Sequence, residues 1–144
     1  MTTFVSTTPA PNIDVEIKND DVYPEITVDY LLSNYRIDTE INKNIVRTHL
    51  QTAVYDVNAD LAVGDFKSTI QNQSLTDEQA FRYRDAVYYK AKAELQMTYR
   101  DTSATAVGHD RADGKEDIAG DSRRLSWSAI QKLLGNSTNR VRLI

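Results

Sequence analysis

Apolar residues recur through the middle of the chain at steps of three and four, the period of helices that pack by one face. Ile41, Ile45, Val46, Leu50, Ala53, Val54, Val57 and Leu61 form the longest series and predict a helix over 39–63, capped by Asp38 or Thr39 and stopped by Gly64. Upstream, Val28, Leu31, Leu32 and Tyr35 share one face of a short helix over 28–35. Thr27 is its N-cap, and Asp29 places a negative charge in the first turn, where the helix dipole favours it.

Downstream, the polar stretch 65–75 links to Thr76-Asp77-Glu78-Gln79. This is a capping box, in which Thr76 and Gln79 each bond the other's backbone N–H. It opens a third helix running to about residue 100. Phe81, Tyr88, Ala91, Leu95 and Tyr99 make its stripe, and Ala86, Ala93 and Met97 broaden it. A helix apolar around so much of its girth belongs at the centre of a bundle. Residues 101–117, rich in small and charged residues and broken by Gly108 and Gly114, read as a long mobile loop. A fourth helix follows, from Gly120 or Asp121 to Leu134. Its predicted buried side is Leu125, Trp127, Ala129, Ile130, Leu133 and Leu134, and Gly135-Asn136 stops it.

The two ends differ from this body. Pro9 and Pro11 forbid a regular helix at the start, Ile13, Val15 and Ile17 alternate with acids, and Tyr23-Pro24 favours extended backbone. Residues 1–26 therefore read as an extended or disordered arm. Residues 137–144, with Asn139 to Ile144 alternating polar and apolar, read as an extended tail. The expected fold is all-α: a small bundle of about four helices over 27–136, flanked by arm and tail. The 144 residues suit one domain.

Charge adds a direction to the chain. The net charge is −4, from 17 bases and 21 acids, which is the wrong sign for a protein that grips DNA by its phosphates. Residues 1–34 hold Asp14, Glu16, Asp20, Asp21, Glu25 and Asp29 against Lys18 alone. Residues 122–144 hold Arg123, Arg124, Lys132, Arg140 and Arg142 and no acid. An acidic start and a basic finish suggest charge pairing within a subunit, between neighbours or with a partner. The N-terminus lacks the basic patch and apolar run of a signal peptide, and no stretch approaches the ~20 apolar residues of a membrane helix. A soluble protein made in the cytosol is expected.

Candidate chemistry is sparse. There are no cysteines, so no disulfide, thiolate ligand or thiol nucleophile. No phosphate-binding glycine loop or nucleophile elbow occurs. The two histidines are His49, mid-helix, and His109, whose pairing with Asp110 lacks the further ligands a metal requires. A calcium-loop reading around Gly114 would put His109, Arg111 and Gly120 at ligand positions, and none fits. No cofactor, metal or catalytic residue is expected. Tyr83, Tyr88, Tyr89 and Tyr99 interleave with Arg82, Arg84 and Arg100. Such a pattern can stack on single-stranded nucleic acid, but core and protein interface suit an acidic chain better.

Several stretches carry a family likeness. They are Tyr23-Pro24-Glu25-Ile26, Asn58-Ala59-Asp60-Leu61, Arg84-Asp85-Ala86-Val87, Ala91, Ala93, Leu95 and Tyr99-Arg100-Asp101. Ser103-Ala104, Gly108, Ala112-Asp113 and Trp127-Ser128-Ala129-Ile130 continue the series. In order and spacing, over roughly 22–144, the chain resembles the head completion proteins (the protein L type) of contractile-tailed temperate phages. The resemblance implies a structural virion protein rather than an enzyme. It implies a head–tail connector that assembles in the host cytoplasm as a ring, commonly twelvefold, beneath the portal. The ring would extend the channel, let DNA pass without specific binding, and offer a platform to the next neck or tail-terminator protein. It also implies a C-terminal segment that reaches the portal. The candidate partner-binding residues are Arg123, Arg124, Arg140, Val141, Arg142, Leu143 and Ile144, the last five able to add a strand to a partner. The alternative is a small helical nucleic-acid-binding or regulatory protein using the same basic segment.

Overall fold

The computed structural model describes residues 16–37, 41–71, 73–104 and 109–136, with the backbone alone for 99–104 and 109–118. Five helices follow one another: α1 Val28–Asn34, α2 Lys43–Val63, α3 Phe66–Thr69, α4 Asp77–Ala104 and α5 His109–Leu133. Among the described residues there is no strand, and the fold is all-α. α4 and α5 form the principal contact, α2 packs on α4, and α1 and α3 pack on α2.

Local signals place most helix ends. Thr27 accepts from the Tyr30 amide at 3.1 Å and starts α1. At α4 both bonds of the capping box form: the Thr76 amide donates to Gln79 Oε1 at 2.9 Å, and the Gln79 amide donates to Thr76 Oγ1 at 3.1 Å. α5 stops at Gly135 (φ +79°). There the Gly135 amide bonds the Lys132 carbonyl and the Asn136 amide bonds the Gln131 carbonyl, the paired closure of a Schellman motif.

The structure moves three boundaries. α2 begins at Lys43, because Asn42 caps it through a 2.7 Å bond from the Asn44 amide. Ile41 is buried ahead of the helix, and Asp38 and Thr39 lie outside the described residues. The polar linker holds α3, which exists to bury Phe66. The mobile loop expected over 101–117 is mostly helix: 101–104 finish α4 and 109–117 open α5. A lone Gly114 costs a helix only about 1 kcal/mol, and packing into a hairpin overrides it. The remaining connection, 105–108, lies outside the described residues.

The α4–α5 seam is built from small residues. Ala119, Ser122, Ser126, Ala129 and Leu133 recur at steps of three and four on α5 and are buried. Ser126 Oγ donates to the Ala86 carbonyl at 2.6 Å, and Ser122 Oγ donates to Gln96 Oε1 at 3.2 Å. The two bonds fix an antiparallel register. They also show how near the helices lie, since a serine side chain reaches the neighbour's backbone. This displaces large residues expected inside. Leu125 and Trp127 are 39% and 51% exposed, and Phe81 on α4 is 59% exposed. Ile45 on α2 also faces outward.

Of the N-terminal arm, residues 1–15 lie outside the described residues, but 16–26 are part of the body. Gln51 on α2 holds this segment like a strand partner, accepting from the Lys18 amide and donating to the Lys18 carbonyl, both at 2.8 Å. Tyr23 and Ile26 are buried in the core.

The seam makes its own test. Ser126→Ala removes one buried hydrogen bond and should cost about 1 kcal/mol. Ser126→Leu must push the helices apart and should cost roughly 1–3 kcal/mol or more by overpacking. Urea denaturation of both variants, followed by circular dichroism, checks the order.

Candidate partner interface

Of the tyrosines that interleave with arginines on α4, Tyr83 and Tyr88 face the core, Tyr89 is half-buried, and the side chain of Tyr99 lies outside the described residues. Tyr83 is buried, and its hydroxyl donates to Asn58 Oδ1 at 2.6 Å and accepts from Asn19 Nδ2 at 3.1 Å. Asn58 Nδ2 donates to Asn19 Oδ1 at 2.9 Å, closing a three-membered ring of polar groups. Tyr23 stacks on Tyr83 with ring centroids 4.4 Å apart. Five residues along α4, the Tyr88 hydroxyl accepts from the Thr27 amide at 3.0 Å. Tyr35 donates to Asp85 at 2.8 Å, and Tyr89 meets the Tyr35 ring edge-on. The Tyr83 and Tyr88 rings fill the core while their hydroxyls tie down an N-terminal segment. Tyr83 and Tyr88 are therefore not surfaces for stacking bases.

Two open grooves lie beside these elements. One, of about 250 Å³, is lined by Asp20, Tyr23, Asn58, Ala62, Asp65, Phe66 and Lys67. Its polar groups are largely engaged: Asp20 accepts hydrogen bonds from Lys67 and the Val22 amide, which hold that carboxyl below the usual range, and Asn58 belongs to the Tyr83 ring. The other runs between α2 and α5 over α4, where Asp60, Lys90, Arg123, Ser126, Trp127 and Ile130 line about 240 Å³. It continues along Val63, Gly64, Leu134 and Asn136. Val63 is 89% exposed, so this rim offers apolar area to solvent on both helices.

Of the candidate partner-binding residues, Arg123 and Arg124 are exposed on α5 next to Trp127. Arg124 makes one surface pair, with Asp121 at 3.4 Å, a type of contact worth little. Arg140, Val141, Arg142, Leu143 and Ile144 lie outside the described residues, so the structure does not join them to the α5 pair. His49 meets Thr98 at 3.3 Å, and the side chains of His109 and Asp110 lie outside the described residues. Among the described residues no three acids or histidines converge on a metal-sized site. No helix among the described residues is long and apolar enough to cross a membrane. Sequence reading missed Trp127 and Val63 as outward residues. The available signal was size: every buried position at steps of three and four from Ala119 to Ala129 is alanine or serine.

A five-helix body with a small-residue seam, docked N-terminal segment and outward tryptophan spans the stretch compared with known families. The sequence model of the phage head completion protein (GPL) family matches residues 17–144. The chain belongs to that family. Its role is a structural one in head assembly, as a virion component. No curated protein and no solved structure matches the chain. The match begins at residue 17, close to where the described body begins.

Within this head completion protein, the buried hydroxyls set an alkaline limit. Burial raises Tyr23, Tyr35, Tyr83 and Tyr88 above the ordinary value of 10.0. The folded state thus holds these protons more tightly than the unfolded chain. The resulting stability is complete below about pH 10 and is lost as pH rises towards the folded values. The share of the tyrosinate absorbance that comes from these four residues should appear late and together with loss of helicity. Tyr83→Phe, which leaves Asn19 and Asn58 short of a partner, should cost about 1–3 kcal/mol at neutral pH by urea denaturation.

Proposed function

We propose that this head completion protein is a neck subunit. It docks as a ring beneath the portal, extends the DNA channel, and presents a platform to the next neck or tail-terminator protein. Family membership over residues 17–144 carries the reading. The described fold adds support, since Asp20, Asp21, Glu25 and Asp29 lie on a segment packed against the helices and Arg123 and Arg124 lie on α5. In this reading the protein assembles in the host cytoplasm and comes to lie at the head–tail junction, commonly in twelve copies. DNA passes without specific binding, as suits a net charge of −4. The contact with the portal is assigned to Arg140, Val141, Arg142, Leu143 and Ile144. Their alternating side chains suit strand addition, the arginines pairing with acids and the apolar residues filling pockets.

The test is a mixture with the portal protein viewed by negative-stain microscopy, where rings are expected on the portal. Removal of residues 137–144 should abolish portal binding and leave helicity unchanged by circular dichroism. Undiminished binding by the shortened chain would overturn the assignment of the tail. A mobility shift on DNA that weakens steeply with salt would instead favour the nucleic-acid reading.

A further inference from the structure

On α5, Gly120, Arg123, Arg124 and Trp127 follow one another at steps of three and four or lie side by side, so they share one strip of the helix surface. All four are exposed. Gly120 is the informative member. It lies inside a helix, where alanine would be about 1 kcal/mol more favourable. A Cβ built on it would meet nothing within 4 Å. The packing of the subunit itself gives no reason for a glycine there, whereas close approach of another backbone does. Trp127, half-exposed beside two arginines, has the character of an interface anchor.

A second patch complements the first. Asp21 and Glu25 on the docked segment and Asp29 in the first turn of α1 are all exposed acids. Tyr30 follows them, 41% exposed, its ring fixed by stacking on Tyr88 at 4.9 Å. Local bases engage this patch weakly. Lys67 is taken up by Asp20, and Lys43 approaches Asp29 only to 3.8 Å with both groups exposed. The two patches lie on different sides of α4. α5 bonds the helix at Ala86 and the segment before α1 bonds it at Tyr88, two residues or about 200° further round.

We propose that the strip Gly120, Arg123, Arg124 and Trp127 of one copy packs on the patch Asp21, Glu25, Asp29 and Tyr30 of a second copy. The arginines set the register against the carboxylates. Trp127 and Tyr30 cover each other, and the partner's backbone comes down on Gly120. Because the two surfaces differ, the contact is head-to-tail and propagates to a closed ring or a filament. The inference rests on the ring reading above and adds to it the surfaces that touch.

The absence of native cysteine makes the test direct. Two full-length chains are prepared, one with Asp29→Cys and one with Arg124→Cys, and each is oxidised alone and in equimolar mixture. The mixture should give the mixed disulfide dimer well above its share in random pairing, which is twice either self-dimer. Mixed dimer at or below that random share would overturn the contact. Adding Gly120→Gln to the Arg124→Cys chain should cut the mixed dimer about tenfold, with an unchanged or higher Tm. An unaffected yield would overturn the part given to the strip. Mixed dimer without rings on the portal would keep the contact and remove the neck reading, and rings without mixed dimer would do the reverse.

Discussion

The hydrogen bond from Ser126 to the Ala86 carbonyl sets the distance between α4 and α5, and much of the molecule follows from that distance. At such an approach the buried seam positions from Ala119 to Ala129 are alanine and serine. Leu125 and Trp127 turn outward, so the exposed face of α5 is a by-product of how the hairpin packs. A buried serine usually weakens a core unless its hydroxyl is satisfied. Here the neighbouring backbone supplies the acceptor, and the small residue gives both close packing and a fixed register.

With one side of α4 occupied by α5, the remaining faces are organised by tyrosines. Tyr83 and Tyr88 put their rings into the core and their hydroxyls at its edge, where they meet Asn19, Asn58 and the Thr27 amide. Residues 16–27 thus gain fixed positions without belonging to a helix. Gln51 does the same for the backbone at Lys18. The consequence is electrostatic. The acids of the N-terminal stretch are held on the body, at a set place relative to the arginines of α5, and a charge gradient along the chain becomes two patches in space.

Such an arrangement suits a virion protein of the head completion family. The faces it offers to solvent carry groups suited to association: an exposed tryptophan, a pair of arginines, several carboxylates and an apolar rim at Val63. Conformational cost on binding is low where side chains already stand in place, as Tyr30 does against Tyr88.

Much of the local structure was legible in the sequence because it depends on residues three to five apart. The caps at Thr27, Thr76 and Gly135 are bonds of this range, and they form where the residue types call for them. The core series Val46, Leu50, Val54, Val57 and Leu61 is likewise periodic and buried. Other features needed the fold. Gly64 reads as a left-handed stop, yet its φ is −86° and Asp65 takes the left-handed turn at +58°. A Cβ on Gly64 would lie 2.6 Å from the tip of the Leu134 side chain, which would have to move, and that contact is made 70 residues away. Of the candidate site, Arg123 and Arg124 could be named from charge, but Gly120, Trp127 and Tyr30 could not. Sequence by itself determined the helix ends that carry a local cap, at Thr27, Thr76 and Gly135, and which residues can be buried, whereas the start of α2, the whole of α3 and the helical stretches 101–104 and 109–117 came only with the fold. Which of those residues are buried was decided only by tertiary packing, because burial depends on how near the neighbouring helix comes, and that distance was set by two serines on α5.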